Sequence, residues 1–165
     1  MKRIIGCATC SVLMLVMLAG CETYKPYTSP GAPPPKLTRA AIMMEPNSKE
    51  KRRRAEDIAT VLRKRGIDSV IVLPGEPVPR DVDGYFTYND KWEWDLTMYL
   101  ADLEIELHDT QTSTLIASAR YKQSWVHRYP NPIDIVDNLV GQILGEPPPK
   151  PSREETHGSK ELIKP

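Results

Sequence analysis

The chain has 165 residues, 40% of them hydrophobic and 27% charged, with 16 Pro, seven Tyr, three Trp and one Phe; this length fits one domain of ordinary size. Lys plus Arg equals Asp plus Glu at 22 each, which excludes a global basic excess for nucleic acid. The three Cys stand at 7, 10 and 21, so neither a disulfide framework nor a zinc cluster is available.

Met1-Lys2-Arg3 is a short positive start, and Ile4 to Leu18 follows without a formal charge. A positive start, an apolar stretch of this length and a small-residue exit at Ala19 and Gly20 predict a secretory signal peptide over residues 1–20. Leu18-Ala19-Gly20-Cys21 resembles the lipobox of bacterial lipoproteins at every position. The resemblance implies that Cys21 becomes the first mature residue, with a thioether-linked diacylglycerol and an amide-linked acyl chain such as palmitate. Several chains anchor stably where one gives only marginal binding. In that family the next residue helps decide sorting, and Glu22 in place of Asp points to the outer membrane, periplasmic face, over the inner membrane. Loss of Lys2 and Arg3 leaves 20 basic against 22 acidic residues.

Residues 21–36 hold the acylated Cys and a Pro-rich segment with five prolines. As a polyproline-like tether at ~3.1 Å per residue it holds the domain up to roughly 45 Å from the lipid. Residues 145–165 hold five more prolines among charges and predict a disordered tail. The folded periplasmic domain is expected over 37–144.

Within it, Arg39 to Met44 reads as a short strand. Asn47 with Glu50 makes a capping-box pattern, and Ala55, Ile58, Ala59 and Leu62 form one apolar helical face ended by Gly66. Ser69 to Leu73 is an apolar strand, residues 73–84 a Pro-rich loop, and Tyr85 to Asn89 a strand. Thr97 to Leu107 alternates apolar and polar residues, as does the segment from Leu115. With the polar turn at Asp109 to Ser113 they predict an antiparallel hairpin. Asn131-Pro132 opens a last helix with Val136, Leu139, Val140 and Ile143 as its stripe. The expected fold is α+β, a mostly antiparallel sheet of about four to five strands covered on one face by two helices.

Asp90-Lys91-Trp92-Glu93-Trp94-Asp95 is the densest aromatic element. With the lipobox it resembles a family of small uncharacterised proteobacterial outer-membrane lipoproteins sharing an Asp-x-Trp-x-Trp-Asp element and a later hairpin; the resemblance implies no activity. Trp92 and Trp94 fall on one side of an extended chain. They either cap the sheet edge as core, with Asp90 and Asp95 closing the turn, or form with Tyr85 and Tyr88 an exposed platform for a partner.

Lys49 to Arg54 is a basic run at a helix start. It reads as a solvated face in which Glu50 pairs with Arg54, or as a contact for anionic lipid headgroups; export argues against nucleic acid. His108 with Glu104 and Glu106 gives only a weak metal pattern, and Ser118 or Ser124 with His108 and Asp102 lacks a nucleophile elbow. The glycines at 66, 75, 84 and 141 form no phosphate loop, so no cofactor and no metal is expected. The sequence therefore points to a non-catalytic lipoprotein, held to membrane lipid through Cys21, with an envelope protein as partner. A small periplasmic hydrolase is one alternative. A carrier of an apolar ligand, using room left by Ala101, Ala117 and Ala119, is another.

Overall fold

A computed structural model describes residues 23–28, 33–45, 49–123 and 129–147, without the side chains of residues 23–25 and 49–51. The signal peptide, Cys21, Asn47, Ser124, Trp125, His127 and residues 148–165 of the tail, with His157, lie outside the described residues, whereas Glu146, at the start of the expected tail, is held by Arg65 at 2.8 Å. The elements are β1 (Thr23–Thr28), β2 (Arg39–Met43), α1 (Lys49–Lys64), β3 (Asp68–Val72), β4 (Gly84–Trp94), β5 (Met98–Asp109), β6 (Leu115–Lys122) and α2 (Pro132–Ile143).

The class is α+β as expected, but the sheet differs. It has six strands in the order β1-β6-β5-β4-β2-β3, and it is mixed. β1, β6, β5 and β4 pair antiparallel, whereas β2 lies parallel to both β4 and β3. The expectation of a mostly antiparallel sheet of four to five strands is thereby corrected. The β2–β3 pair is parallel because α1 carries the chain back between them, and the β2–β4 pair because the 73–83 loop carries it back again before β4.

The second difference is β1. Residues 23–28 fall in the stretch expected to be tether, yet they pair with β6 from Thr23 opposite Lys122 to Thr28 opposite Ala117. Pro26 is tolerated because β1 is an edge strand, where one missing donor breaks no interior ladder. In the sheet β2 lies beyond β6, β5 and β4 from β1. That is four strand spacings, about 19 Å at the usual separation. Pro34 lies where a Cβ on Gly145, just past α2, would meet it at 2.8 Å.

Both helices pack on one face of the sheet. Ile58 and Leu62 of α1 share a fully buried cluster with Val136, Leu139 and Val140 of α2, and with Phe86, Leu103, Ile105, Leu107 and Tyr121. Ala117 and Ala119 sit in the same cluster with no exposure. The predicted stripes of both helices are these buried positions. Gly66, at φ 75°, ends α1. Its N–H bonds to Arg63 O and that of Ile67 to Leu62 O, both at 3.0 Å, a Schellman arrangement that suits glycine.

The 73–83 loop covers the other face near β2 and β3. Val82 is buried against Ala41 and Val72, with Val78 and Tyr85 beside them. Asp83 fastens its end. The carboxylate accepts from Thr38 N and Thr38 Oγ1 at 2.7 Å, and from Arg39 N at 3.0 Å. The backbone bond from Arg39 and those from Thr38 hold the Asp83 carboxyl below the ordinary aspartate value. A carboxylate so lowered stabilises the fold fully above its unfolded value of about 3.9 and ceases to do so as pH falls through the lower folded value. In urea melts across that acid range, Asp83→Asn therefore loses part of the acid-side slope. Asp109 and Glu146, shifted in the same direction, retain the remainder.

Candidate functional site

The Asp-x-Trp-x-Trp-Asp element forms the far end of β4, and its two halves have different surroundings. Asp90, opposite Leu103, points to the helix side with its side chain 2% exposed. There it meets Arg54 of α1, itself 1% exposed. Arg54 donates to Asp57 Oδ2 at 2.6 Å, and its Nε lies 3.9 Å from Asp90 Oδ2. Trp92 Nε1 donates to the same Asp90 oxygen at 2.8 Å. The Trp92 ring lies 5.6 Å from the guanidinium carbon, a cation–π distance.

Burial governs the electrostatics of this node. Desolvation lowers the Arg54 pKa, against the raising effect of Asp57 and Asp90. Desolvation raises the Asp57 carboxyl, against the lowering effect of Arg54. The Tyr88 phenol is pushed up to about 12, first by burial and then by the Asp90 charge. Arg54 is thus no member of a solvated basic face. Its partners are Asp57 and Asp90, and the side chain of Glu50 lies outside the described residues.

Just beyond, the register shifts. Lys91 faces Asp102 and Trp92 faces Leu100, leaving Ala101 as an extra residue on β5. The hairpin then continues past the helices. Trp94 is 72% exposed, Leu96 88% and Met98 51%, and Asp95 N bonds to Thr97 O at 3.2 Å across the turn. Tyr99 meets Tyr129 edge-on with centroids 5.7 Å apart. Tyr99 donates to Glu93 at 3.1 Å and Tyr129 to Asp95 at 3.5 Å, while Lys91 pairs with Glu93 at 2.6 Å.

The four aromatic residues expected to form a platform do not share a surface. Tyr88 is buried at 2% exposure, and Trp92 is half-buried against the core. Tyr85 lies on the opposite face, stacked on His108 with centroids 5.1 Å apart. Trp94 alone of the four is exposed, and its apolar neighbours are Leu96 and Met98. Sequence reasoning missed those two, although large apolar residues in a segment this short between strands, where polar turn residues are usual, were a visible signal. Asp90 and Asp95 are also separated, one inside the core and one at the tip.

The uncovered sheet face is polar. Thr87, Glu106 and His108 form a closed triangle: Thr87 Oγ1 is 3.2 Å from Glu106 Oε2 and 3.1 Å from His108 Nε2, which is 3.0 Å from Glu106 Oε2. Arg120 donates twice to Asp102, at 2.9 and 2.6 Å. Asp102 and His108 therefore have partners other than Ser118. A depression of about 200 Å³ lies between Glu45, Thr87, Tyr88, Asn89, Glu104 and Glu106. Among the described residues no group of three His, Cys, Asp or Glu is placed to hold a metal ion.

No family model and no curated protein matches this sequence. Among solved structures, a single Leu-to-Met variant of PelC from Paraburkholderia phytofirmans and PelC itself, each a dodecamer, are similar at a TM-score of 0.51. Identity is 15% and 13%, over 75% of this chain and 95% of PelC in both cases. At that identity the likeness is one of fold.

Three outcomes follow from the node and the tip. Trp92→Ala lowers unfolding free energy by about 2–3 kcal/mol, short of the cost for a fully buried ring, whereas Trp94→Ala stays within about 0.5 kcal/mol of wild type. Arg54→Ala, which leaves Asp90 buried without its cation, costs about 3–5 kcal/mol. Urea unfolding at neutral pH measures all three.

Proposed function

We propose that this chain is a lipid-anchored lipoprotein on the periplasmic face of the outer membrane, and that its domain is a non-catalytic binding or assembly module with an envelope protein as partner. The observation that carries this reading is Leu18-Ala19-Gly20-Cys21 behind a charged start and an apolar stretch, with Glu22 next. No helix among the described residues is long and apolar enough to cross a membrane; in this reading the acyl chains attach the domain.

The position of β1 shortens the distance over which such an anchor would act. β1 begins at Thr23, two residues after Cys21, a span of at most about 7 Å. Of the five prolines expected to hold the domain away from the lipid, Pro26 lies in β1 and the other four lie between β1 and β2 in the sequence. An acylated Cys21 therefore holds the edge of the sheet close to the bilayer. The exposed tip and the polar open face of β4, β5 and β6 are the surfaces left for contact.

Labelled palmitate fed to cells enters the wild-type protein and not Cys21→Ser, which leaves the membrane pellet or remains as uncleaved precursor. Glu22→Asp moves acylated protein from the outer-membrane to the inner-membrane fraction. Equal labelling of wild type and Cys21→Ser would refute the anchor.

A further inference from the structure

Three features far apart in sequence converge at one end of the sheet. Thr23 lies opposite Lys122 on β6, and Lys122 lies opposite Asp102 on β5. The chain preceding Thr23 therefore leaves the sheet at the end where β4 and β5 run on past Lys91 and Asp102 to their turn. Between Asp102 and Met98, with Ala101 bulged out, the hairpin advances three paired spacings, about 10 Å at 3.4 Å each. Cys21 is at most about 7 Å from Thr23. The hairpin tip thus reaches beyond the acylated residue in the direction of the strands, whichever path Glu22 takes.

The third feature is the basic run. β2 is parallel to β4, so it delivers the chain to this same end before α1 turns back. Arg54 sits level with Asp90. Lys49 is five residues nearer the end, about 7.5 Å along the helix axis. Lys49, Lys51, Arg52 and Arg53 accordingly occupy the first turns of α1 between the levels of Asp90 and Trp92, below the tip. Arg52 and Arg53 are exposed.

Resting on the lipoprotein reading of Cys21, we propose that this end of the domain is a second membrane contact. Trp94, Leu96 and Met98 enter the headgroup–acyl boundary of the leaflet that holds the anchor, and Arg52 and Arg53 lie over anionic headgroups. Four of the six exposed large hydrophobic residues among those described, Trp94, Leu96, Met98 and Tyr129, are gathered here. Trp and Tyr favour the interface, where the ring is apolar and the N–H or O–H stays wet. The acidic groups at the tip already have donors, Asp95 from Tyr129 and Glu93 from Tyr99 and Lys91. Cations at this end are drawn to an anionic surface. A second copy fits less well, since a stable protein interface buries about 1,200–2,000 Å² and a two-stranded tip with three apolar side chains offers far less.

The full acylated chain, placed in vesicles of phosphatidylethanolamine and phosphatidylglycerol with brominated acyl chains, tests this. Tryptophan emission of wild type is compared with Trp94→Phe, and the mass of the amino-terminal peptide reports acylation in the same sample. The expected result is a blue-shifted Trp94 contribution that bromine quenches. Leu96→Asp abolishes that quenching with acylation intact, and Arg52→Glu with Arg53→Glu weakens it only where phosphatidylglycerol is present. Acylated protein with an unquenched Trp94 overturns the tip contact and leaves the anchor standing, whereas an unmodified Cys21 overturns both. An unquenched tip whose Leu96→Cys variant forms a disulfide between copies assigns the tip to a second copy, and also overturns the proposal.

Discussion

A guanidinium in a hydrocarbon core is tolerated only where carboxylates meet it, and the rest of this domain is arranged around that requirement at Arg54. Asp57 is supplied by the same helix, three residues on. Asp90 must come from the sheet, so β4 turns a carboxylate inward at a position that on pattern alone belongs to the solvent side of a turn. Once Asp90 faces α1, Trp92 follows it two residues later on the same side. Its indole N–H fills an Asp90 lone pair and its ring covers the cation. An ion pair of this kind adds little net stability against a hydrophobic replacement. Its effect here is positional, because it docks the start of α1 against one level of β4.

That docking level separates the core from the projection. Up to Trp92 the hairpin is backed by α1, and beyond it no helix among the described residues receives the side chains. Trp94 has the same parity as Trp92 but emerges into solvent with Leu96 and Met98. The bulge at Ala101 falls at this same boundary, and bulges bend and twist a strand where regular pairing gives way. A rigid base under an exposed apolar tip suits insertion into a neighbouring phase, since the strands keep their pairing while the tip changes surroundings.

The strand nearest the proposed anchor shows how context reverses composition. Residues 23–28 carry Pro26 and a mixed polar sequence, and locally they favour an extended, unpaired chain. β6 offers them an otherwise open edge, and pairing there satisfies donors that would remain exposed. The outcome shortens the link between Cys21 and the domain from a spacer to a close attachment. It also leaves the following prolines in the connection from β1 to β2, four strands away in the sheet.

The sequence by itself determined what depends on neighbours a few residues away. The helical stripes at Ala55, Ile58, Ala59 and Leu62 and at Val136, Leu139, Val140 and Ile143 are legible because they recur every turn. The β5–β6 hairpin is legible because its alternation holds from Leu103 to Leu107 and resumes past the turn where Asp109 accepts from Gln111 and Thr112, with the extra residues Ala101 and Ile116 breaking it only locally. Strand order, the parallel placement of β2, the recruitment of β1 and the burial of Arg54 were decided only by the tertiary structure. Each depends on a partner tens of residues distant, and no periodicity records which edge, or which carboxylate, a segment will meet. The separation of Trp92 from Trp94 belongs with these, because identical parity carries two side chains to the same side but only the length of α1 fixes where that side stops being interior.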